Sequence, residues 1–360
     1  MDLALLERLC SAFGPPGCED EVRAIIIEAI TPYADEIVVD HAGNLIAFKK
    51  GANRPDKRRM FAAHMDEVGF MVTADDSDEF LKADALGGID PAVILGKRVI
   101  VGDKRIPAVF GGKPIHLIDS EDRNKTRPLD KLYLDFGALK QEKSGKDKPK
   151  KKLVDISLES KVEKLINPGD FAVFAPNFTL FGRDKSRVLS KAVDDRFGCL
   201  ALIELIRSDL AYDSYFAFTT CEEIGLRGAA TAVNLVKPEV AIVVETTTAG
   251  DIYNKNKQNK VCEIGRGAVI SFMDNTTIYS KNLFNLAMSC SVKENIPAQT
   301  KTAVAGGNDS GIIHKSLAGV ETLAVSLATR YLHSPACVAD ITDMESVIAL
   351  LKSLENNIKE

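Results

Sequence analysis

The chain has 360 residues, of which 45% are hydrophobic, and it carries a formal net charge of -5 with a pI near 5.7. This apolar content is sufficient for a large core and favours two domains, while the acidic balance argues against a nucleic-acid partner. No uninterrupted apolar run approaches the roughly 18–20 residues of a membrane span, and the seven cysteines form no CxxC pair. These features argue against a membrane protein and a secreted disulfide framework, and they favour the reducing cytoplasm.

The N-terminal part of the chain predicts two helices, a hairpin and a buried strand. "MDLALLERLC" is typical of a short amphipathic helix, and "CEDEVRAIIIEAI" of a helix with acidic residues in its first turn. "EIVVDHAGNLIAFKK" predicts a hairpin that turns at "HAGN". The apolar stretch from Arg58 to Val72 indicates a buried strand, yet it contains His64, Asp66 and Glu67. Because unpartnered buried charge costs several kcal/mol, this stretch predicts a strand end or a nearby cation.

The sequence pattern of residues 69–179 differs from that of the rest of the chain. Short alternating strands are separated there by glycine, proline and charged turns, which predicts a small β-barrel-like domain. The lysine-rich stretch "KQEKSGKDKPKKKL", which begins at Lys140, has no interleaved aromatic residues for base stacking and predicts a solvated loop. We therefore expect a domain of residues 1–68 plus 180–360 that is interrupted by a β domain of residues 69–179.

The C-terminal half alternates between helical and strand patterns. The predicted helices are "DDRFGCLALIELIRSDL", "RGAATAVNLV", "KNLFNLAMSCSVKENI" and "DITDMESVIALLKSLENN", and the predicted strands are "SYFAFTT", "VAIVVETTT" and "ETLAVSLA". The predicted fold class is α/β: a three-layer α/β/α domain with a mixed sheet, interrupted by the inserted β-barrel-like domain.

Metal-ligating residue types recur where these strands end or helices begin. They are His64 and Asp66, Asp194 and Asp195, Glu222 and Glu223, Glu245 in "AIVVETTT", and His333. The carboxyl ends of strands line the ligand crevice of an open α/β sheet, so these groups could converge. Each alone also fits a structural role, as a turn residue, a helix-start acid or an ion-pair partner. Together, however, the carboxylates would repel one another and raise each other's pKa values, and a pair of divalent cations would remove that conflict.

Two-metal hydrolysis requires these residue types. A pair of ions needs a shared carboxylate, terminal histidine and carboxylate ligands, and positions open to water. An oxygen and nitrogen donor set without thiolates suits Zn, Co or Mn. One carboxylate must stay unbound to take the proton from the attacking water. Neighbouring residues at a strand end point in different directions, so one of Glu222 and Glu223 can bind metal while the other serves as the base.

Six stretches carry a resemblance to a known family. In chain order they are "AAHMDEVGFMV", "GGIDPAVILGKRVIV", "KAVDDRFGCLALIEL", "TTCEEIGLRGA", "AGGNDSG" and "RYLHSP". With them the chain resembles, over essentially its full length, the tetrahedral aminopeptidase family of cocatalytic dimetal metallopeptidases, which includes glutamyl, leucyl and deblocking aminopeptidases.

The resemblance implies a set of metal ligands. Asp194 would bridge two divalent ions, His64 and Glu245 would complete one site, and Glu223 and His333 would complete the other. Family members often have Asp where this chain has Glu245, so occupancy of that site is left open.

The resemblance also implies roles around these ligands. Glu222 would be the general base, and Asp66 would orient the ring of His64. Asp195 would shape the turn after Asp194, where relatives carry an unusual peptide geometry, and Asp309 would lie near the substrate end of the site.

The implied activity is removal of the N-terminal residue from short peptides. The inserted β domain would be a dimerisation module, and dimers would build a tetrahedral dodecamer. Two alternatives stay open: a dimetal deacylase or other hydrolase of the same clan, and a catalytically weak peptide-binding assembly protein. The preferred N-terminal residue and the physiological metal also stay open.

Overall fold

A computed structural model describes residues 1–77, 80–137, 166–252 and 261–358. The predicted lysine-rich loop that begins at Lys140 lies outside the described residues. The chain divides into two compact units, one formed by Met1–Glu67 with Pro176–Glu360 and the other by Val68–Ala175. The second unit lies where the sequence predicts an inserted β domain, and the role of that domain in dimerisation stays a prediction.

The larger unit contains an 11-stranded sheet and its helices. Its strands are β1 (Glu36–Val39), β2 (Leu45–Lys49), β3 (Arg59–His64), β10 (Thr179–Phe181), β11 (Arg187–Ser190), β12 (Ser214–Thr219), β13 (Val240–Thr248), β14 (Ala268–Ile270), β15 (Ala298–Thr300), β16 (Glu321–Arg330) and β17 (Cys337–Asp340). Its helices are α1 (Leu3–Ser11), α2 (Asp20–Ile30), α3 (Val193–Ile206), α4 (Arg227–Val236), α5 (Lys281–Glu294), α6 (Ser310–Ile313) and α7 (Ile341–Asn357).

The sheet is mixed, with a parallel centre. Its main path runs β1-β2-β12-β3-β13-β16-β17-β11-β10, and β14 joins it by pairing with β16. The neighbours β12, β3, β13 and β16 are parallel, whereas the pairs toward both edges are antiparallel. The carboxyl ends of the four central strands therefore lie at the same edge of the sheet.

Successive strand residues pack into cores on opposite faces of this sheet. In β3, Phe61 and Ala63 join the core that contains side chains of α1, α2, α3, α5 and α7. Met60 and Ala62 join a second core with side chains of α4 and α6. Because strand side chains alternate between faces, these two cores define three layers. The α/β/α prediction is thus confirmed.

The smaller unit is a closed antiparallel barrel. Its strands are β4 (Gly69–Ser77), β5 (Phe80–Leu86), β6 (Arg98–Val101), β7 (Ile106–Gly112), β8 (Leu132–Asp135) and β9 (Phe171–Phe174), closed in the order β4-β5-β8-β7-β6-β9. Phe70 lies in its core, with ring centroids 4.6 Å from Phe110 and 5.4 Å from Phe174. The predicted barrel-like insertion is confirmed.

The structure corrects two strand predictions. The stretch from Arg58 to Val72 is not one strand, because β3 ends at His64 and the first barrel strand begins at Gly69. The strand end that its charged residues also predicted is found at His64. Glu245, by contrast, does not end a strand. The parallel ladder between β13 and β16 continues beyond it to Thr248, so Glu245 lies within β13. Hydrophobic periodicity did not reveal these boundaries, since apolar residues continue beyond His64 and strand-forming threonines continue beyond Glu245.

No helix within the described ranges combines the length and the apolar character that crossing a membrane would need.

A buried ion pair ties α7 to β3. Arg59 is 2% exposed and Glu355 is 1% exposed; their side chains form a hydrogen-bonded pair. Glu355 also accepts hydrogen bonds from the backbone N–H groups of Ala211 and Tyr212, both at 3.0 Å. The carboxylate is therefore bound by partners from two other parts of the chain.

We expect Glu355→Ala to lower the free energy of unfolding by about 3–5 kcal/mol, because it leaves the Arg59 guanidinium buried without its counter-charge. Urea unfolding followed by circular dichroism measures this change. Glu345→Ala, at an exposed position of the same helix, is the matched control and should stay within about 0.5 kcal/mol of the parent. A loss below about 1 kcal/mol for Glu355→Ala would show that the pair is not needed for stability.

Candidate metal centre

The predicted site residues come together at the carboxyl edge of the central strands. His64 is the last residue of β3, Glu222 and Glu223 follow β12, Glu245 lies within β13, His333 follows β16, and Asp194 lies at the start of α3. Because β12, β3, β13 and β16 are parallel neighbours, the residues at their carboxyl ends lie side by side, as the strand-end pattern predicted.

Asp194 lies between the two histidines. Its Oδ1 is 3.4 Å from His64 Nε2, and its Oδ2 is 3.2 Å from His333 Nε2. The carboxylate is buried, and the peptide bond between Asp194 and Asp195 is cis. Each oxygen thus faces a different imidazole, which is the geometry of a carboxylate shared by two neighbouring sites.

Two glutamates complete the two sides. Glu245 Oε1 is 3.7 Å from His64 Nε2, and Glu223 Oε1 is 3.3 Å from His333 Nε2. Two ligands that each lie about 2.0–2.2 Å from a tetrahedral Zn²⁺ are roughly 3.4 Å apart. The measured separations therefore match ligand pairs that share one ion.

Several oxygens of these carboxylates accept no hydrogen bond. Within the described part of the chain, Asp194 Oδ1, Asp195 Oδ2 and Glu223 Oε1 are buried without a hydrogen bond. Ligand atoms of His64, Asp194 and Glu223 lie within 4.8 Å of one another, as do those of His64, Asp195 and Glu245. Buried polar atoms normally find partners, so this donor set fits divalent cations. Asp195, which the sequence assigned only to the turn, lies within the second group.

The electrostatics of the acids also fit a cation site. Burial raises the pKa values of Glu222 and Glu245 well above their ordinary range and that of Glu223 to about 8, and neighbouring carboxylates add to each shift. Burial also opposes ionisation of Asp194, but the two adjacent histidines outweigh it and hold the pKa of Asp194 below its usual range. Divalent cations stabilise such crowded, poorly solvated carboxylates.

Asp66 lies behind the ligands and organises two segments. Its Oδ1 and Oδ2 accept hydrogen bonds from the backbone N–H groups of Glu222 and Glu223, each at 3.0 Å. Its backbone carbonyl oxygen is 3.1 Å from His64 Nδ1, whereas its carboxylate is 3.5 Å from that nitrogen. Asp66 therefore contacts the ring of His64 more closely through its backbone carbonyl than through its carboxylate.

A buried ionic cluster near the site was not predicted. The carboxylate of Glu67 accepts hydrogen bonds from Lys191 Nζ at 2.6 and 2.8 Å and from Arg196 Nη2 at 3.2 Å. Lys191 and Arg196 precede and follow the Asp194 turn in sequence, so this cluster anchors that turn to the segment after β3. The charge of Glu67 within an apolar stretch was the one sequence signal for it.

Asp309 supports the end of β12. It is buried, and its Oδ2 accepts a hydrogen bond of 2.6 Å from Thr219 Oγ1. Thr219 is the register partner of His64, so Asp309 is bound to the residue beside His64. Its neighbour Asn308 lines the cavity beside them.

The ligands face a cavity of about 420 Å³. Besides His64, Asp194, Glu222, Glu223, Glu245 and His333, its walls include Thr246, Thr247, Ser271, Asp274, Lys301 and Ser326. Glu222 belongs to neither ligand group found among the described residues. The cavity is thus lined by candidate ligands of two metal ions, by the Glu222 carboxylate, which lies outside both ligand groups, and by further polar side chains.

Comparisons with known proteins find similar sequences and structures. A family model described as M42 glutamyl aminopeptidase matches residues 43–350. A protein of Acetivibrio thermocellus that is classed by name with the aminopeptidases is 36% identical over 349 residues, which is 96% of each chain.

Solved structures are similar over nearly the whole chain. A TET aminopeptidase from the marine sediment archaeon Thaumarchaeota archaeon SCGC AB-539-E09 has a TM-score of 0.90 and 31% identity, covering 99% of this chain and 96% of its own. The Pyrococcus horikoshii TET1 peptidase, described as able to assemble into a tetrahedron or a large octahedral shell, has a TM-score of 0.81 and 30% identity and covers 99% of both chains.

Proposed function

The chain belongs to the M42 glutamyl aminopeptidase family and is a metallo-aminopeptidase, and we propose that it removes the N-terminal residue of short peptides with two divalent ions and a glutamate base. The observation that carries this proposal is the position of Asp194, whose two oxygens lie 3.4 and 3.2 Å from the Nε2 atoms of His64 and His333. A carboxylate placed in this way can serve two ions at once.

The proposed ligand sets follow from the distances around this bridge. His64 and Glu245 would hold one ion with Asp194, and Glu223 and His333 would hold the other. When bound, such a pair of ions polarises a peptide carbonyl and lowers the pKa of water. The nitrogen and oxygen donors, without a thiolate, support Zn, Co or Mn as the metal.

Glu222 is the proposed general base. Burial raises the pKa of its carboxyl group well above the ordinary value, which favours uptake of a proton from the water that attacks the scissile carbonyl. The backbone hydrogen bond from Glu222 to Asp66 holds the start of this turn in place. The protonated Glu222 would then supply the proton to the departing amine, so that one side chain serves both steps.

We also propose that the protein self-associates through its barrel unit, with dimers building a tetrahedral dodecamer. Support comes from the Pyrococcus horikoshii relative, whose description names a tetrahedral assembly. For location we propose the cytoplasm, because all seven cysteines are free thiols.

Substrates with and without a free α-amine test the proposed activity. We expect metal-loaded protein to hydrolyse aminoacyl-p-nitroanilides and not their N-acetyl forms, because the site would act on the N-terminal residue. EDTA should abolish turnover, and Zn, Co or Mn should restore it.

The alternatives predict different results. Cleavage of acyl-amino acids without cleavage of the anilides would indicate a deacylase, and release of sugar from a cellulosic substrate would indicate a glycosidase. Fewer than one tightly bound ion per chain, with no turnover after addition of Zn or Co, would indicate the weakly catalytic binding protein.

A further inference from the structure

Lys301 is a buried cation in the wall of the substrate cavity. It follows β15, is 9% exposed, and lines the same cavity as the metal ligands. Its Nζ donates a hydrogen bond of 2.8 Å to the carbonyl oxygen of Ala305. A lysine ammonium has three donors, and Ala305 O is its one acceptor among the residues that the structure describes.

No carboxylate neutralises this ammonium at close range. Across residues 1–77, 80–137, 166–252 and 261–358, no carboxylate oxygen lies within the 4.0 Å that defines an ion pair with Lys301 Nζ. Burial lowers the pKa of Lys301, and the negative charge of Asp274 opposes that shift. A buried cation without a paired anion is costly, so an anionic ligand group would be favoured at this position.

Asp274, an acid that lines the same cavity, is already bound by protein donors. Its Oδ1 accepts hydrogen bonds from the backbone N–H groups of Thr276 at 2.7 Å and Thr277 at 2.8 Å, and its Oδ2 accepts one from Tyr279 Oη at 2.5 Å. Asp274 is 2% exposed. It therefore has little capacity to bind a cationic substrate side chain, whereas Lys301 retains donors for an anionic one.

We propose that Lys301 is a specificity-determining residue, which binds the side-chain carboxylate of an N-terminal Glu or Asp. This inference rests on the proposed aminopeptidase function. A cavity of about 420 Å³ that is lined both by the proposed metal ligands and by Lys301 would hold the first residue of the substrate in contact with both. The hydroxyl groups of Ser271 and Ser326 in the same walls can donate further hydrogen bonds to that carboxylate.

The test compares kcat/KM for Glu-, Asp-, Leu- and Lys-p-nitroanilide in the metal-loaded parent, Lys301→Met and Lys301→Gln. We expect the parent to prefer the acidic substrates. Either substitution should lower the ratio of glutamyl to leucyl kcat/KM by about 10- to 100-fold, the size of a hydrogen bond to a charged group. Lys315→Met, at an exposed position, is the matched control and should leave that ratio unchanged.

Three results would overturn the proposal. Equal losses on glutamyl and leucyl substrates would give Lys301 only a structural role through Ala305, and an unaltered ratio would give it no role in selection. A loss for Leu-Gly without a loss for Leu-glycinamide would show that Lys301 binds the peptide C-terminus instead.

Direct binding separates this proposal from the proposed function. If the metal-loaded parent cleaves no anilide, the aminopeptidase proposal fails. Calorimetric titration with free L-glutamate and L-leucine then still tests Lys301, because tighter binding of glutamate that is lost in Lys301→Met would support its role. Equal binding of the two amino acids by the parent would contradict that role.

Discussion

Glu222→Gln is expected to lower kcat by about 10²- to 10⁴-fold, the usual contribution of a general base. Glutamine keeps the size of the side chain, and its backbone N–H can still donate to Asp66 Oδ1, as that of Glu222 does at 3.0 Å. The neutral amide cannot accept the proton of the attacking water. Because Glu222 belongs to neither ligand group among the described residues, the variant should still bind two divalent ions. Steady-state kinetics with an aminoacyl-p-nitroanilide and elemental metal analysis measure the two effects separately.

Two comparisons define what this variant shows. Glu345→Gln, at an exposed position of α7, should retain parental kcat and metal content. A near-normal kcat in Glu222→Gln would remove Glu222 from the role of base. Loss of an ion from the same variant would instead make Glu222 a ligand and leave the base to be found among the other carboxylates.

The residue types of the site could be predicted because each is a local property of the sequence. A histidine or carboxylate directly after a buried strand marks the edge where a ligand can bind, and parallel strands bring several such edges together. The pairing of His64 with Thr219 across β3 and β12 shows how this happens. It carries Glu222 and Glu223 to the side of His64, although more than 150 residues separate them in the chain.

The partners of the charged groups could not be predicted, because they depend on contacts between distant segments. The sequence shows Glu67 as a charge in an apolar run, but its neutralisation by Lys191 and Arg196 is set by the packing of the α3 turn against the segment after β3. The sequence pattern predicts a strand end at Glu245, whereas the ladder between β13 and β16 continues for three more residue pairs. Local periodicity contains no information on where such a ladder stops.

Substrate specificity could not be predicted from the sequence either, as Lys301 shows. In the sequence it is one of 46 lysines and arginines, and nothing near it distinguishes a solvated lysine from a buried one. Its importance arises from three-dimensional facts: the cavity that it lines, its single acceptor among the described residues, and the saturation of Asp274. A family resemblance identifies metal ligands more readily than it identifies the residues of a substrate pocket, since metal ligands are limited to a few residue types.

Asp194→Asn is expected to remove tight binding of both ions and to lower kcat/KM by roughly 10³-fold or more, because metal ions supply several kcal/mol of transition-state stabilisation. Asp194 faces both His64 and His333, so one substitution alters both proposed sites. An amide has a similar shape, but it lacks the charge and presents one oxygen in place of two. Metal content and the concentration dependence of reactivation by Zn or Co measure the loss.

Thermal unfolding separates this effect from simple misfolding. In the parent, added metal should raise Tm, because ions that bind the folded state stabilise it by mass action. In Asp194→Asn the metal-free protein should still unfold cooperatively, at a Tm no higher than that of the metal-free parent, because the anion that the two histidines stabilise is gone. The rise in Tm on adding metal should be lost. Asp103→Asn, an exposed position of the barrel unit, should behave as the parent does in both states. If Asp194→Asn kept two tightly bound ions and a normal rise in Tm, the bridge would have to be formed by another carboxylate, and Asp195, whose Oδ2 is buried without a hydrogen bond, would be the next residue to substitute.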